Sequence, residues 1–320
     1  MASMNPRTFS RLGQSGSVFG LELMKQAARH PVKVVSADMS VVAGLDRFKR
    51  EYPDSFYNVG IAEQDMMGIA AGLASEGFPT VAVAQACFLS MRSFEPVRQY
   101  LGYMGNNVVC VGINSGFSLS FFGNTHFAME DMALMRTVPG MTVLSPADAL
   151  SATKAFAAAL EGGKPAYIRL SGGLGCPIVY PGDFDLEIGK AIRLREGTDV
   201  TLLATGSMVY PSLRAAGLLA GEGLSVELFD VHTVKPFDRD LITGSLDRKL
   251  LVTVEEHSVI GGLGSAAAEV LARFPGTPPL LKLGVQDRFV DVGDYAWLLE
   301  QARLTPECIA SDILDQYRQL

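Results

Sequence analysis

At 320 residues the chain exceeds one ordinary domain, so two are expected, and a hydrophobic content of 48% is ample for two cores. A net charge of −7 with no basic cluster argues against nucleic acid or an anionic membrane as a partner. Cys87, Cys110, Cys176 and Cys308 show no paired spacing, which leaves no zinc or disulfide framework and points to buried thiols in a reducing compartment.

Met1 to Gly16 is polar and lacks an apolar centre, so no secretory signal is expected, and no run is long enough to span a bilayer. The expectation is a cytoplasmic globular protein. A helix is predicted over Val18–Ala28 and a strand over Val32–Ser36. A helix follows over Glu63–Glu76, then strands over Thr80–Ala84, Val108–Ile113 and Thr142–Leu144. Next come a helix over Ala147–Leu160 and a strand over Ala166–Leu170. The Gly/Pro-rich stretch from Ser171 through Gly173, Leu174 and Gly175 to Gly182 reads as a linker, giving domains 1–185 and 186–320. Beyond it, strands over Val200–Ala204, Ser225–Phe229, Leu250–Val254 and Leu280–Leu283 alternate with helices over Leu213–Ala220, Gly264–Arg273 and Pro306–Tyr317. Continuous apolar strands alternating with helices predict an α/β fold, each domain a mostly parallel sheet with helices on both faces.

The most informative stretch is Tyr57-Asn58-Val59-Gly60-Ile61-Ala62-Glu63-Gln64-Asp65. Its apolar run delivers one carboxylate, Glu63, to the start of a helix rich in small residues (Gly68, Ala70, Ala71, Gly72, Ala74), where another backbone can approach closely. The helix dipole favours an acid there, whereas apolar neighbours disfavour its ionised form. A carboxyl so poised can share a proton with a ring nitrogen of a bound heterocycle.

Phe56 to Gln64 resembles the pyrimidine-binding domain of thiamine-diphosphate enzymes, on the transketolase and deoxyxylulose-phosphate synthase branch. Ser36-Ala37-Asp38, the segment Phe88-Leu89 with Met91 and Phe94, Gly123-Asn124-Thr125-His126, and Met129 to Arg136 match family motifs in order. Lys190 to Arg273 reads like the family's C-terminal domain. The resemblance implies that Glu63 is the carboxyl that engages the cofactor's aminopyrimidine, that Asp38 is a cofactor-binding residue, and that Phe88, Met91 and Phe94 wall the pyrimidine pocket. It implies that His126 faces the reacting carbon and binds substrate hydroxyls. His257 is assigned no role. Gly262-Leu263-Gly264 fits a dinucleotide fingerprint, but Glu255 to Ile260 intervene after the strand, so close packing is the expected use.

The family's Gly-Asp-Gly motif, which holds the metal and the diphosphate, is absent: Gly182-Asp183 runs on to Phe184 and Gly293-Asp294 to Tyr295. No residue of this chain is therefore assigned to metal. Thiamine diphosphate and Mg2+ would be completed by a separate diphosphate-binding transketolase N-terminal subunit, in a heterotetramer. The substrate side also departs from transketolases. Phe121-Phe122 replaces an acidic pair, Asn114 a histidine, Val42 a serine, and Gly172 falls where an arginine clamps phosphate. Asn114, Phe122, His126 and the nearby Arg169 are taken as the substrate-binding set. The leading reading is the smaller subunit of a split transketolase-like enzyme that moves a ketol unit between sugars, with an acceptor that is less polar, unphosphorylated or anchored by the partner. A 2-oxo-acid dehydrogenase beta subunit, a deoxyxylulose-phosphate-synthase-like carboligase and a non-enzymatic interaction subunit stand behind it.

Overall fold

Val-rich runs with no polar alternation can be buried on both faces only in a parallel sheet, and two such sheets form. The computed structural model describes residues 5–172 and 175–320, so Gly173 and Leu174 of the expected linker lie outside the described residues. Strands β1 (Lys33–Ser36), β2 (Phe56–Asn58), β3 (Thr80–Gln85), β4 (Val108–Ser115), β5 (Thr142–Leu144) and β6 (Ala166–Ser171) belong to the first half. Strands β7 (Ile192–Arg195), β8 (Val200–Ala204), β9 (Val226–Asp230), β10 (Thr233–Lys235), β11 (Leu250–Ser258) and β12 (Leu280–Val285) follow. The sheets run β10-β5-β6-β4-β3-β1-β2 and β12-β11-β8-β9-β7. Every pairing is parallel except β10 on β5 and β7 on β9. Strand β10 comes from the second half of the sequence yet completes the first sheet, which a cut near residue 185 does not express. β2, β7 and β10 were not predicted: two are three residues long and Ile192–Arg195 carries two arginines.

The helices are α1 (Pro6–Leu12), α2 (Phe19–Ala27), α3 (Asp46–Glu51), α4 (Glu63–Ser75), α5 (Ala86–Met91), α6 (Phe94–Pro96), α7 (Asp131–Thr137), α8 (Ala149–Glu161), α9 (Val209–Gly221), α10 (Arg239–Thr243), α11 (Leu263–Leu271), α12 (Tyr295–Gln301) and α13 (Pro306–Gln319). None of the described helices is long and apolar enough to cross a membrane. Alternation along β3 sends Val81 and Val83 into a core with Phe19, Phe48 and Phe156. Ala82 and Ala84 go to the other face, where their small size admits Met66, Met67 and Ala70 of α4. The outer side of α4 is bare: nothing lies within 4 Å of a Cβ built on Gly68 or Gly72. The close approach those glycines allow is thus not made among the described residues.

A buried polar seam joins the halves. Arg169 Nε donates to Asp131 at 2.9 and 3.2 Å, and its Nη2 donates to the Ala128 and Glu256 carbonyls at 3.0 and 2.7 Å. Burial alone would lower the Arg169 pKa, but the facing Asp131 and Glu256 carboxylates push it up. The Glu256 carboxylate accepts from the Phe117 backbone at 2.6 Å, from Tyr295 Oη at 2.8 Å and from Ser207 Oγ. Such groups are tolerable in the interior only because each one is answered.

Candidate active site

Each site residue expected from the sequence, apart from Arg169, lies in the first half at or just beyond the carboxyl end of a strand of the first sheet, where open α/β sheets bind ligands. Asp38 follows β1. It is exposed, sits in the left-handed region at φ 57°, and its backbone N–H donates to Asn58 Oδ1 at 3.0 Å. Asn58 also accepts from Gly60 N at 3.2 Å and so ties the loop after β1 to the turn that delivers Glu63. Glu63 opens α4 and is only 5% exposed.

Arg92, to which the sequence pattern assigns no role, modifies the apolar surroundings expected for Glu63. Its guanidinium lies 3.4 Å from the Glu63 carboxylate and 3.9 Å from the centre of the Phe88 ring. Gln64 Nε2 donates to the Arg92 carbonyl at 3.0 Å and steadies it. Beyond Phe88 stands His126, edge-on at 5.2 Å between ring centres, and beyond that Phe122, stacked on His126 at 4.6 Å. Carboxylate, guanidinium, phenyl, imidazole and phenyl therefore form one continuous row. Thr125 Oγ1 pairs with His126 Nδ1 at 2.8 Å and orients the ring. Gly123 supplies the left-handed kink (φ 73°) that brings the Ser120–Thr125 loop round, and a Cβ there would strike Val292 at 2.6 Å. Met91 is 42% exposed at the rim, while Phe94 packs half-buried against the α4 core.

A depression of about 510 Å³ lined by Ile61, Ala62, Glu63, Gln64, Asp65 and Arg92 opens in front of the acid. A planar guanidinium with N–H donors already lies there between a carboxylate and an aromatic face. An aminopyrimidine asks for the same two contacts, so the residues fit the pyrimidine end of thiamine diphosphate. Among the described residues no cluster of His, Cys, Asp and Glu could hold a metal.

Two expectations change. Arg169 cannot bind substrate: strand alternation turns it inward, it is 3% exposed, and its bonds go to Asp131, Ala128 and Glu256. Asn114 stands at the site's edge but only 7% exposed, in the left-handed region at φ 53°. A Cβ on Gly172 would lie 2.6 Å from Asn114 Oδ1, so no larger residue fits there without a shift. The glycines of α11 serve packing as expected. Glu255 accepts from Leu263 N and Gly264 N at 2.7 and 2.8 Å, and a Cβ on Gly262 would overlap its carboxylate. That helix start already holds an acid and leaves no place for a phosphate. His257 is fully buried, its pKa lowered by burial, and it belongs to the seam.

Two α/β units of mostly parallel sheet, with an acid and a histidine gathered beyond the carboxyl ends of the first sheet's strands, have the layout of an α/β ligand-binding enzyme. Comparison with known proteins makes this specific. Residues 18–176 match the transketolase pyrimidine-binding domain and residues 189–309 the transketolase C-terminal domain. The chain is 41% identical over 289 residues to the 6-deoxy-6-sulfo-D-fructose transketolase subunit SqwH of Clostridium sp. (strain MSTE9), covering 89% of each. It is 35% identical to one of the apulose-4-phosphate transketolase subunits of Phocaeicola vulgatus, covering 92% of this chain and 94% of that one. A solved split-gene transketolase, described as an inactive beta4 tetramer, superposes with a TM-score of 0.84 at 37% identity, covering 93% of this chain and 96% of that one. The chain belongs to the transketolase family, and these three relatives are described as subunits or as a split-gene product.

Proposed function

We propose that this chain is the smaller, pyrimidine-binding subunit of a two-subunit thiamine-diphosphate-dependent transketolase that transfers a ketol unit between sugars. The observation that carries the reading is the buried Glu63 at the head of α4, facing an open depression beside the Phe88–His126 pair. The cofactor, when bound, supplies a carbanion-stabilising centre for cleaving and forming carbon–carbon bonds. Glu63 would hold a proton against the pyrimidine ring nitrogen, and Phe88 would support the ring face once Arg92 moves aside. His126, oriented by Thr125, would donate to substrate hydroxyls.

The sequence lacks Gly-Asp-Gly, so a partner polypeptide would hold Mg2+ and the diphosphate in a cytoplasmic heterotetramer. The bare outer side of α4, Ile61 at 74% exposure and Phe121 at 70% support a subunit contact around this depression. The domain division at residue 185 remains part of this proposal. Titrating thiamine diphosphate with Mg2+ into the chain alone, and into the chain mixed with a Gly-Asp-Gly partner, tests it. Binding and turnover are expected only from the mixture, and full activity of the lone chain would overturn the split-site reading.

For the acceptor we infer a sugar without a terminal phosphate. With Arg169 committed to the seam, the positions where transketolases grip phosphate offer Val42 and Gly172, and Phe121-Phe122 beside them brings no donor. Desolvating a phosphate there without donors is costly. The named substrates of two relatives carry a sulfo group and a phosphate, so the family accommodates more than one terminal group. Matched acceptors with and without the phosphate decide the point on the reconstituted complex. A gain of about a hundredfold in kcat/KM from the phosphate, roughly 2.7 kcal/mol, would refute the inference.

A further inference from the structure

A second cleft, of about 360 Å³, lies where the two halves meet, among the end of α7, strand β10 and helix α11. Four cations line it, Arg136, Lys235, Arg239 and Arg273, against one carboxylate, Glu269. In a chain of net charge −7 such an excess is a local arrangement and not a reflection of composition. Glu269 is already engaged, accepting from Arg136 at 2.9 Å. Lys235 spends its donors on the Arg136 and Val138 carbonyls at the end of α7 and finds no acid. Burial, and then the charge of Arg136, push its pKa down, as expected where positive charge is unanswered. Arg239 and Arg273 are exposed at the mouth and have no carboxylate at ion-pair distance among the described residues. The remaining walls include Val234, Phe237, Ala266 and Val270, which are apolar.

An exposed arginine is ordinarily just a solvated side chain. Here the guanidinium groups stand over a concave apolar floor, and behind them a partly buried lysine, Lys235, meets only carbonyls while Arg136 takes the one carboxylate, Glu269. We propose that this cleft binds a small organic phosphate: the Arg239 and Arg273 forks take the dianion and the Val234, Phe237 and Val270 floor takes the organic body. The site is separate from the row of residues at Glu63. Its ligand would span α7, β10 and α11, fastening the strand that the second half lends to the first sheet. It would also reach the helix that begins at Asp131, five positions after His126.

The probe is phenyl phosphate, with inorganic phosphate and phenol as its two halves, at constant ionic strength maintained with chloride. Calorimetry and thermal unfolding are run on the chain alone and on the complex with its partner. Phenyl phosphate is expected to bind both and to raise Tm. It should bind at least about tenfold more tightly than either half, because charge and floor act together. The double substitution Arg239→Ala/Arg273→Ala should weaken it by at least about tenfold while leaving unliganded Tm and turnover unchanged. Arg239→Lys/Arg273→Lys keeps the charge, loses the fork and should fall between. Unchanged affinity in the alanine double variant would overturn the proposal, as would a failure of phenyl phosphate to outbind its halves. Binding by the lone chain that vanishes in the complex would also overturn it, because the cleft would then be a subunit contact.

Discussion

Two arginine–carboxylate pairs in this molecule use the same chemistry to opposite ends. Arg169 and Asp131 meet at 2.9 Å with both side chains at most 2% exposed, and every neighbouring acceptor is matched. Arg92 and Glu63 meet at 3.4 Å with the arginine half exposed, and the guanidinium rests on Phe88 instead of being enclosed. The first pair is a fastening whose partners have no alternative. In the second, one member can leave at little cost and give up its seat to a planar ring. Burial, not residue type, separates structure from function here.

The sharpest way to break that contrast is at Glu63. Glu63→Gln keeps the shape but cannot exchange a proton, so turnover of the reconstituted complex is expected to fall by about 10²–10⁴-fold with assembly intact. A tenth of the original rate, measured under saturating cofactor, would exclude Glu63 as the activating acid. At the seam the change should appear in stability instead. Arg169→Leu leaves Asp131 buried without its partner, and urea unfolding should report a loss of about 3–5 kcal/mol. A normal stability with a raised KM would restore Arg169 to the substrate site.

A gentler test exploits two buried groups in the second half. Burial raises the Asp230 carboxyl to about 7 and lowers the His232 imidazole to about 4. An acid with a raised folded pKa loses stability as pH climbs from its ordinary 3.8 to about 7, because the native state keeps the proton longer. A histidine with a lowered one gains stability as pH climbs from about 4 to 6.5, because there the unfolded chain binds more protons. The two slopes oppose each other. Asp230→Asn should therefore leave stability rising between pH 4.5 and 6.5 or thereabouts, and His232→Asn should leave it falling. Parallel slopes in the two variants would show that neither group titrates as placed.

The smallest effect is expected at Arg92. Arg92→Ala should alter stability by no more than about 1 kcal/mol, since the pair is exposed on one side. It should strengthen thiamine diphosphate binding to the complex severalfold by vacating the ring's seat. Weaker binding would make Arg92 a cofactor contact and erase the distinction between the two pairs.

Much of this is readable along the chain. The largely apolar runs become β1, β3, β4, β6, β8 and β11, because a strand buried on both faces needs continuous apolar character whatever its neighbours. Glu63 stands out only through the residues around it: a lone acid at a helix start usually serves the helix, but Phe56 to Gln64 resembles a family motif. The edge strands β2, β7 and β10 are hidden: β2 and β10 are three residues long, too short to carry a period, and β7 alternates with arginines. Arg92 is hidden too: its partners Glu63 and Phe88 are 29 and 4 positions away, and only folding joins them. Arg169 misleads for the same reason in reverse. Proximity in sequence places it beside the phosphate position of Gly172, while the pleat turns it to the seam. By itself the sequence determined the α/β layers, since apolar runs and their spacing are local properties, while the order of motifs and the lack of Gly-Asp-Gly gained meaning from the family resemblance. The tertiary structure decided which charges are answered and which stand free, because a side chain's partners lie across the sheet and not along the chain.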